Sequence, residues 1–225
     1  FRVVSAIWRL EKGVTLVRRE ILAGIGGVVI GQEIAVCRRV DSGGRETLRE
    51  ESFAEVDPAV GAETDCVVLE KLGSGMATVL VGSDEPVYVP ARLSSLVNPL
   101  YLGNVRAALD GLPATVRQRL VLVVDPGAGA ARSLLPKATE LLRTRVVGLA
   151  VRVRDPATDV AAAESAGVTT VVLDSPERRF DNPVEAAGRF RSAARDADLT
   201  AIVLGAGEAV ANLPGGIAHS RPGPD

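Results

Sequence analysis

His219 is the sole histidine among 225 residues, so chemistry that needs a cluster of imidazoles is excluded. A Ser-His-Asp or Cys-His device would have to use it, and nothing in the sequence sets a nucleophile beside it. Cys37 and Cys66 are the only cysteines and have neither Cys-x-x-Cys spacing nor histidine partners. They read as reduced, buried thiols of a cytosolic protein. Aromatic residues make up 3% of the chain and apolar residues 47%, so the core must be built from Val, Leu, Ile and Ala. That suits a parallel sheet wrapped by Ala-rich helices. Lysine occurs only at Lys12, Lys71 and Lys137, and the net charge is −2. No global basic field exists to attract nucleic acid. The most apolar stretch, 21–31, is broken by glycines, too short to cross a membrane and too late for a signal peptide. Because the first residue is Phe1 and not methionine, the expectation is a domain of a longer protein. It would be cytoplasmic, or tethered to a membrane through a segment outside this one.

What is present has a rhythm. Val4, Ile7, Trp8 and Leu10 fall at helical spacing, so an N-terminal helix is expected over 1–13. Val14 to Leu22 and Val28 to Val36 are β-rich runs separated by Gly24, Gly26 and Gly27, which predicts an antiparallel hairpin. DSGGR at 41–45 is a turn. Helices are expected at Glu63 to Leu72 and Pro99 to Leu109, with a short strand Val87 to Val89 between them. From Leu120 onward strands alternate with helices. Strands at 120–124, 146–153, 169–174 and 201–205 enclose helices at 133–143, 159–166 and 184–197. Such alternation makes a parallel α/β sheet, and with the earlier strands it favours closure into a barrel. The tail, 218–225, is Pro-rich and is expected to leave it.

Generic motifs give little. GAGEAV (205–210) follows a strand but lacks the third glycine and the ribose-binding acid of a dinucleotide turn. DPGAGAAR (125–132) lacks the Lys-Ser/Thr of a phosphate loop.

Several segments together are more specific. VTLVRREILAGIGGVVIGQEIAVCRR (14–39) is similar, without gaps, to the opening of EAL domains, with Gly27, Val29, Ile30, Gly31 and Glu33 on the pattern and EIA where EAL stands. PARLSSLVNPLY (90–101) resembles N-L-S-x-x-x-L-x-D-P-x-F. RLVLVVD (119–125), VTTVVLD (168–174), DLTAIVLG (198–205) and GGIAHSRPGP (215–224) resemble later family segments in the same order. Ser220, Arg221 and Pro222 are identical to the family's Ser-Arg-Pro. The resemblance covers nearly the whole chain. It implies a TIM-like (β/α)8 barrel of the EAL type with an antiparallel first strand, occupying 14–217.

The family cuts cyclic-di-GMP with two divalent metals held by oxygen ligands at the barrel's C-terminal face. Carried over, the first ligand is Glu33, the asparagine ligand becomes Pro90, and the next strand's glutamate becomes Asp125. The paired aspartates fall on Val151 and Arg152, or on Arg154 and Asp155 if the following loop is three residues shorter. The catalytic lysine aligns with Val172, a further glutamate with Leu204, a late glutamine with Gly215, and a ligand-contacting glutamine with Arg19. A guanidinium about 6 Å from a divalent ion is repelled by about 5 kcal/mol at an effective dielectric near 20. The implied state is therefore a degenerate, non-catalytic member with no cofactor. Arg152 or Arg154 is expected to pair with Glu33 and Asp125 and plug the barrel mouth.

Three functions follow as expectations. The leading one is a regulatory module in bacterial signalling or motility that binds another protein, with a homodimer as a further assembly and the loop SPERRFDNP (175–183) as a contact surface. The alternative is a metal-independent receptor for cyclic-di-GMP. Its candidate binding remnants are Arg19, Glu33, Arg38, Asp125, Arg152, Arg154, Asp155 and Asp174. The third is a barrel enzyme with a rebuilt site using Asp125, Asp155, Asp174 and Glu208, acids that also suit ordinary helix N-caps.

Overall fold

The computed structural model describes residues 7–9, 14–23, 27–41, 46–50, 58–76, 84–125, 129–174, 176–213 and 217–220. Val and Leu runs form the strands, because β-branched and aliphatic side chains pack on both faces of a pleated sheet. The strands are β1 (Ile7–Arg9), β2 (Val14–Ala23), β3 (Val29–Asp41), β4 (Glu46–Glu50), β5 (Val87–Arg92), β6 (Leu120–Asp125), β7 (Gly148–Val153), β8 (Thr170–Asp174), β9 (Thr200–Leu204) and β10 (Ala218–Ser220). Among the described residues all ten belong to one sheet. With β1 and β4 set aside, the other eight run β2-β10-β9-β8-β7-β6-β5-β3 and close through a β2–β3 pairing. β2 is antiparallel to both its barrel neighbours, and the other neighbouring pairs in the barrel are parallel. This is the expected barrel with an antiparallel first strand.

Two terminal expectations are corrected. Residues 7–9 are not helical: they form β1, paired antiparallel with Thr15–Val17 of β2. Helical spacing over so short a run loses to a strand edge that offers backbone partners. The segment from 218 does not leave the barrel at once. Ala218–Ser220 is β10, wedged between β2 and β9, and the proline that suggested a tail, Pro222, comes only after it. The rest of the tail lies outside the described residues, as do most of the 41–45 turn and Gly215.

Helices cover the outside. They are α1 (Pro58–Lys71), α2 (Leu93–Val97), α3 (Pro99–Asp110), α4 (Ala114–Arg117), α5 (Leu135–Leu142), α6 (Pro156–Ser165), α7 (Pro176–Arg179), α8 (Pro183–Asp196) and α9 (Glu208–Ala211). Asn98 caps α3 by accepting from the Leu100 N–H at 3.0 Å, with Pro99 in the first turn. Asn182 and Glu185 cap α8 reciprocally: the Glu185 backbone N–H donates to Asn182 Oδ1, and Asn182 Nδ2 donates to the Glu185 carboxylate. Gly167, at φ +70°, turns the chain from α6 toward β8.

Strand alternation divides the core in two. One set, including Val89, Leu122, Val151, Leu173 and Val203, packs outward against helix residues such as Leu135 and Phe190. The other, Ile21, Tyr88, Val121, Val123, Ala150, Val172, Ile202 and Leu204, fills the barrel interior. Each fully buried aliphatic side chain contributes about 1.5–3 kcal/mol before entropy is counted. The interior is packed, so any chemistry belongs at its C-terminal mouth.

Candidate functional site at the barrel mouth

The charges sit on inward positions toward the mouth: at or just past the C-terminal ends of β6, β7 and β8, and part-way along β2 and β3. Arg19 and Glu33 are register partners on β2 and β3, and both are buried. Arg19 Nη1 lies 3.4 Å from Glu33 Oε1. The Ser220 hydroxyl donates to Glu33 Oε2 at 2.5 Å and accepts from the Gly205 N–H at 3.0 Å. The Ala206 N–H donates to the Ser220 carbonyl at 2.7 Å. One serine thus ties β9 and β10 to the glutamate of β3.

On the other side of the mouth, Arg152 Nη1 pairs with Asp174 Oδ2 at 2.9 Å. Arg154 donates through Nε to Asp125 Oδ2 at 3.1 Å, and its Nη2 pairs with the same oxygen. Exposed Arg179 of α7 stands within electrostatic reach of Asp174, Arg154, Arg152 and Asp125. Its pKa is pressed below the arginine norm by desolvation first, with Asp174 pulling the other way.

The expected plug is half right. Arg154 does take Asp125, but the cation on Glu33 is Arg19, and Arg152 goes to Asp174. The reason is register: Arg19 stands directly opposite Glu33 in the antiparallel ladder, whereas Arg152 and Arg154 rise from β7, which is separated from β3 by both β6 and β5. Asp155 is exposed at the N-terminus of α6 and accepts from the Thr158 hydroxyl. Its role there is in the turn. Arg38 pairs through its backbone with Val14 and Arg49, and its side chain lies outside the described residues. Glu208 opens the short α9 and is exposed.

The positions aligned with other family functional groups are apolar. Val172 and Leu204 are buried in the interior cluster. Pro90 is buried on β5 beyond Val87 and Tyr88, where the ladder with β3 ends, so its missing N–H interrupts no pairing with β3. Among the described residues no three His, Cys, Asp or Glu side chains gather as a metal site requires. A pair of divalent cations does not fit this donor set: Glu33, Asp125 and Asp174 each already face a guanidinium.

No protein-family model and no curated protein sequence matches the chain. Solved structures do. The PaMucR phosphodiesterase in its c-di-GMP complex superposes with a TM-score of 0.69 at 15% identity, over 93% of this chain and 90% of that one. The fold is that of an EAL domain. The apo S helix-GGDEF-EAL structure of LapD from Vibrio cholerae superposes on this EAL fold with a TM-score of 0.70 at 12% identity, over 93% of this chain and 53% of that one. BlrP1 of Klebsiella pneumoniae, solved with manganese and cyclic-di-GMP, gives 0.64 at 12% identity, over 98% of this chain and 57% of that one. This EAL fold thus spans little more than half of those two longer chains.

Two further supports of the mouth escape sequence reasoning. Asp159, 1% exposed, accepts the N–H groups of Arg154 and Asp155 at 2.7 and 2.9 Å and pairs with Arg132 at 2.5 Å. It fixes the β7–α6 turn from which Arg154 reaches Asp125. Arg92, buried at the end of β5, pairs with Asp65 of α1 at 2.7 Å and donates its backbone N–H to the same carboxylate at 2.9 Å. Desolvation holds the Asp65 pKa above its ordinary value despite the pull of Arg92. The only sequence signal for either pair was an acid in a helix and an arginine at a distance, which describes many surface residues too.

Proposed function

We propose that this EAL-fold domain is a non-hydrolytic regulatory module of bacterial cyclic-di-GMP signalling that acts by binding another protein. The observation that carries the reading is the Arg19–Glu33 pair, closed from the other side by Ser220. The carboxylate that would receive a metal is already engaged by Arg19 and Ser220, and freeing it would break a buried ion pair. Arg152 and Arg154 hold the two other mouth carboxylates in the same way. Among the described residues, no helix is long and apolar enough to cross a membrane.

The test is direct. Purified protein incubated with cyclic-di-GMP and magnesium or manganese is expected to yield no linear product, and metal-stimulated hydrolysis would sink the proposal.

A second reading is a metal-independent receptor for the dinucleotide. It is favoured by one observation: four arginines, Arg19, Arg152, Arg154 and Arg179, stand about the mouth with three carboxylates. Calorimetry separates the two. Micromolar binding abolished by Glu33→Ala promotes the receptor; no heat at high ligand concentration removes it.

A further inference from the structure

The barrel wall carries a groove whose lining includes none of the mouth's charged residues. Helices α1 and α3 border it, and it encloses about 820 Å³. Its small-residue lining comes from Ala59, Ala62 and Cys66 on one helix and from Ala107, Ala108 and Gly111 at the other. On α1 these fall at i, i+3 and i+7, a single stripe. Side chains so small leave a seam into which the ridge of a third helix fits.

The charge of the groove has one sign. Glu63 and Glu70, both exposed, line it. Seven residues apart, they share one face of α1 about two turns from each other. Among the described residues no lysine or arginine lines it. Cys66, between the two acids, registers their field: its thiol pKa is raised by burial first, then by Asp65, Glu70 and Glu63. Two exposed apolar side chains, Val60 at 47% and Leu100 at 79%, stand in the first turns of the two helices.

We propose that the α1–α3 groove docks an amphipathic helix of a partner protein that carries lysine or arginine beside its apolar stripe. Small residues admit the apolar side chains, and the acids of α1 select the cations at the rim. The inference rests on the reading of the domain as a protein-binding module and names the chemistry of the partner.

Fluorescence anisotropy with a labelled synthetic Leu/Lys amphipathic helix, set against its Leu/Glu counterpart, tests it. The basic peptide is expected to bind saturably and the acidic one not at all. Glu70→Lys should weaken binding about tenfold, and Ala107→Trp, which fills the groove from an exposed position, should abolish it. Both variants change exposed residues, and thermal unfolding checks that they fold. No saturable binding, equal binding of both peptides, or indifference to both substitutions overturns the proposal. So does a dimer in sedimentation that Ala107→Trp breaks, which would hand the groove to a second copy. Failure here with hydrolysis still absent sinks the groove alone; hydrolysis sinks the reading beneath it.

Discussion

Arg19 and Glu33 face each other across the β2–β3 ladder, 3.4 Å apart and buried, with the Ser220 hydroxyl closing on the same carboxylate. A charge pair in that setting is strongly interdependent. Arg19→Met removes the guanidinium from the buried Glu33 charge and is expected to cost about 3–5 kcal/mol in urea unfolding. The double variant Arg19→Met, Glu33→Gln should recover most of that loss, since a glutamine still accepts from Ser220. A double variant no more stable than the single one would mean that the pair is not coupled.

The turn beneath Arg154 depends on Asp159, which gathers two backbone N–H groups and Arg132. Asp159→Ala takes the acceptor from two part-buried backbone donors and from Arg132, and a loss of about 1–3 kcal/mol is expected. Hydrogen exchange should locate the damage, with the amides of Arg154 and Asp155 exchanging faster. Unchanged protection there would refute the assignment.

Gly61 lies buried in α1 against Arg92. A Cβ added there would sit 2.5 Å from Arg92 Cδ and 2.8 Å from its Nε. The arginine cannot withdraw cheaply, because it is held on the Gly61 carbonyl at 3.0 Å and on Asp65 at 2.7 Å. Gly61→Ala gains about 1 kcal/mol in helix propensity against an overpacking cost of about 1–3 kcal/mol. Net destabilisation is the expected result of a melting experiment, and a rise in Tm would contradict it.

Cys66 offers a pH test. Burial, then the neighbouring acids, raise its pKa above 9.0, so the thiol stays protonated and reacts slowly with iodoacetamide at pH 8. The sign for stability follows: the contribution is present below 9.0 and is lost as pH rises through the raised value. Glu70→Gln removes one negative neighbour, lowers the pKa and should speed labelling. A rate independent of Glu70 would show that the field does not reach the sulfur.

Most of the architecture could be read from the chain because strand and helix periods are local properties. The Val and Leu runs from 120 to 205 and the motif order from Glu33 to Ser220 pointed to an EAL barrel from the sequence itself. Local patterns failed at the ends. Ile7–Arg9 carries helical spacing yet pairs as β1, and Ala218–Ser220 precedes prolines yet completes the barrel as β10. In both places a distant strand edge, invisible in the neighbouring residues, supplied the hydrogen bonds that decided the outcome.

The sequence alone determined which groups exist at the mouth: a glutamate, two aspartates and several arginines, where the family has mostly acids and amides. Which arginine holds which acid was a tertiary matter. Register placed Arg19 opposite Glu33, barrel closure brought Ser220 to that carboxylate from 187 residues away, and the α1–α3 seam came from helices separated in sequence by a whole strand. Side-chain identity is written residue by residue, but an electrostatic partner is set by distance, and distance exists only once the sheet has closed.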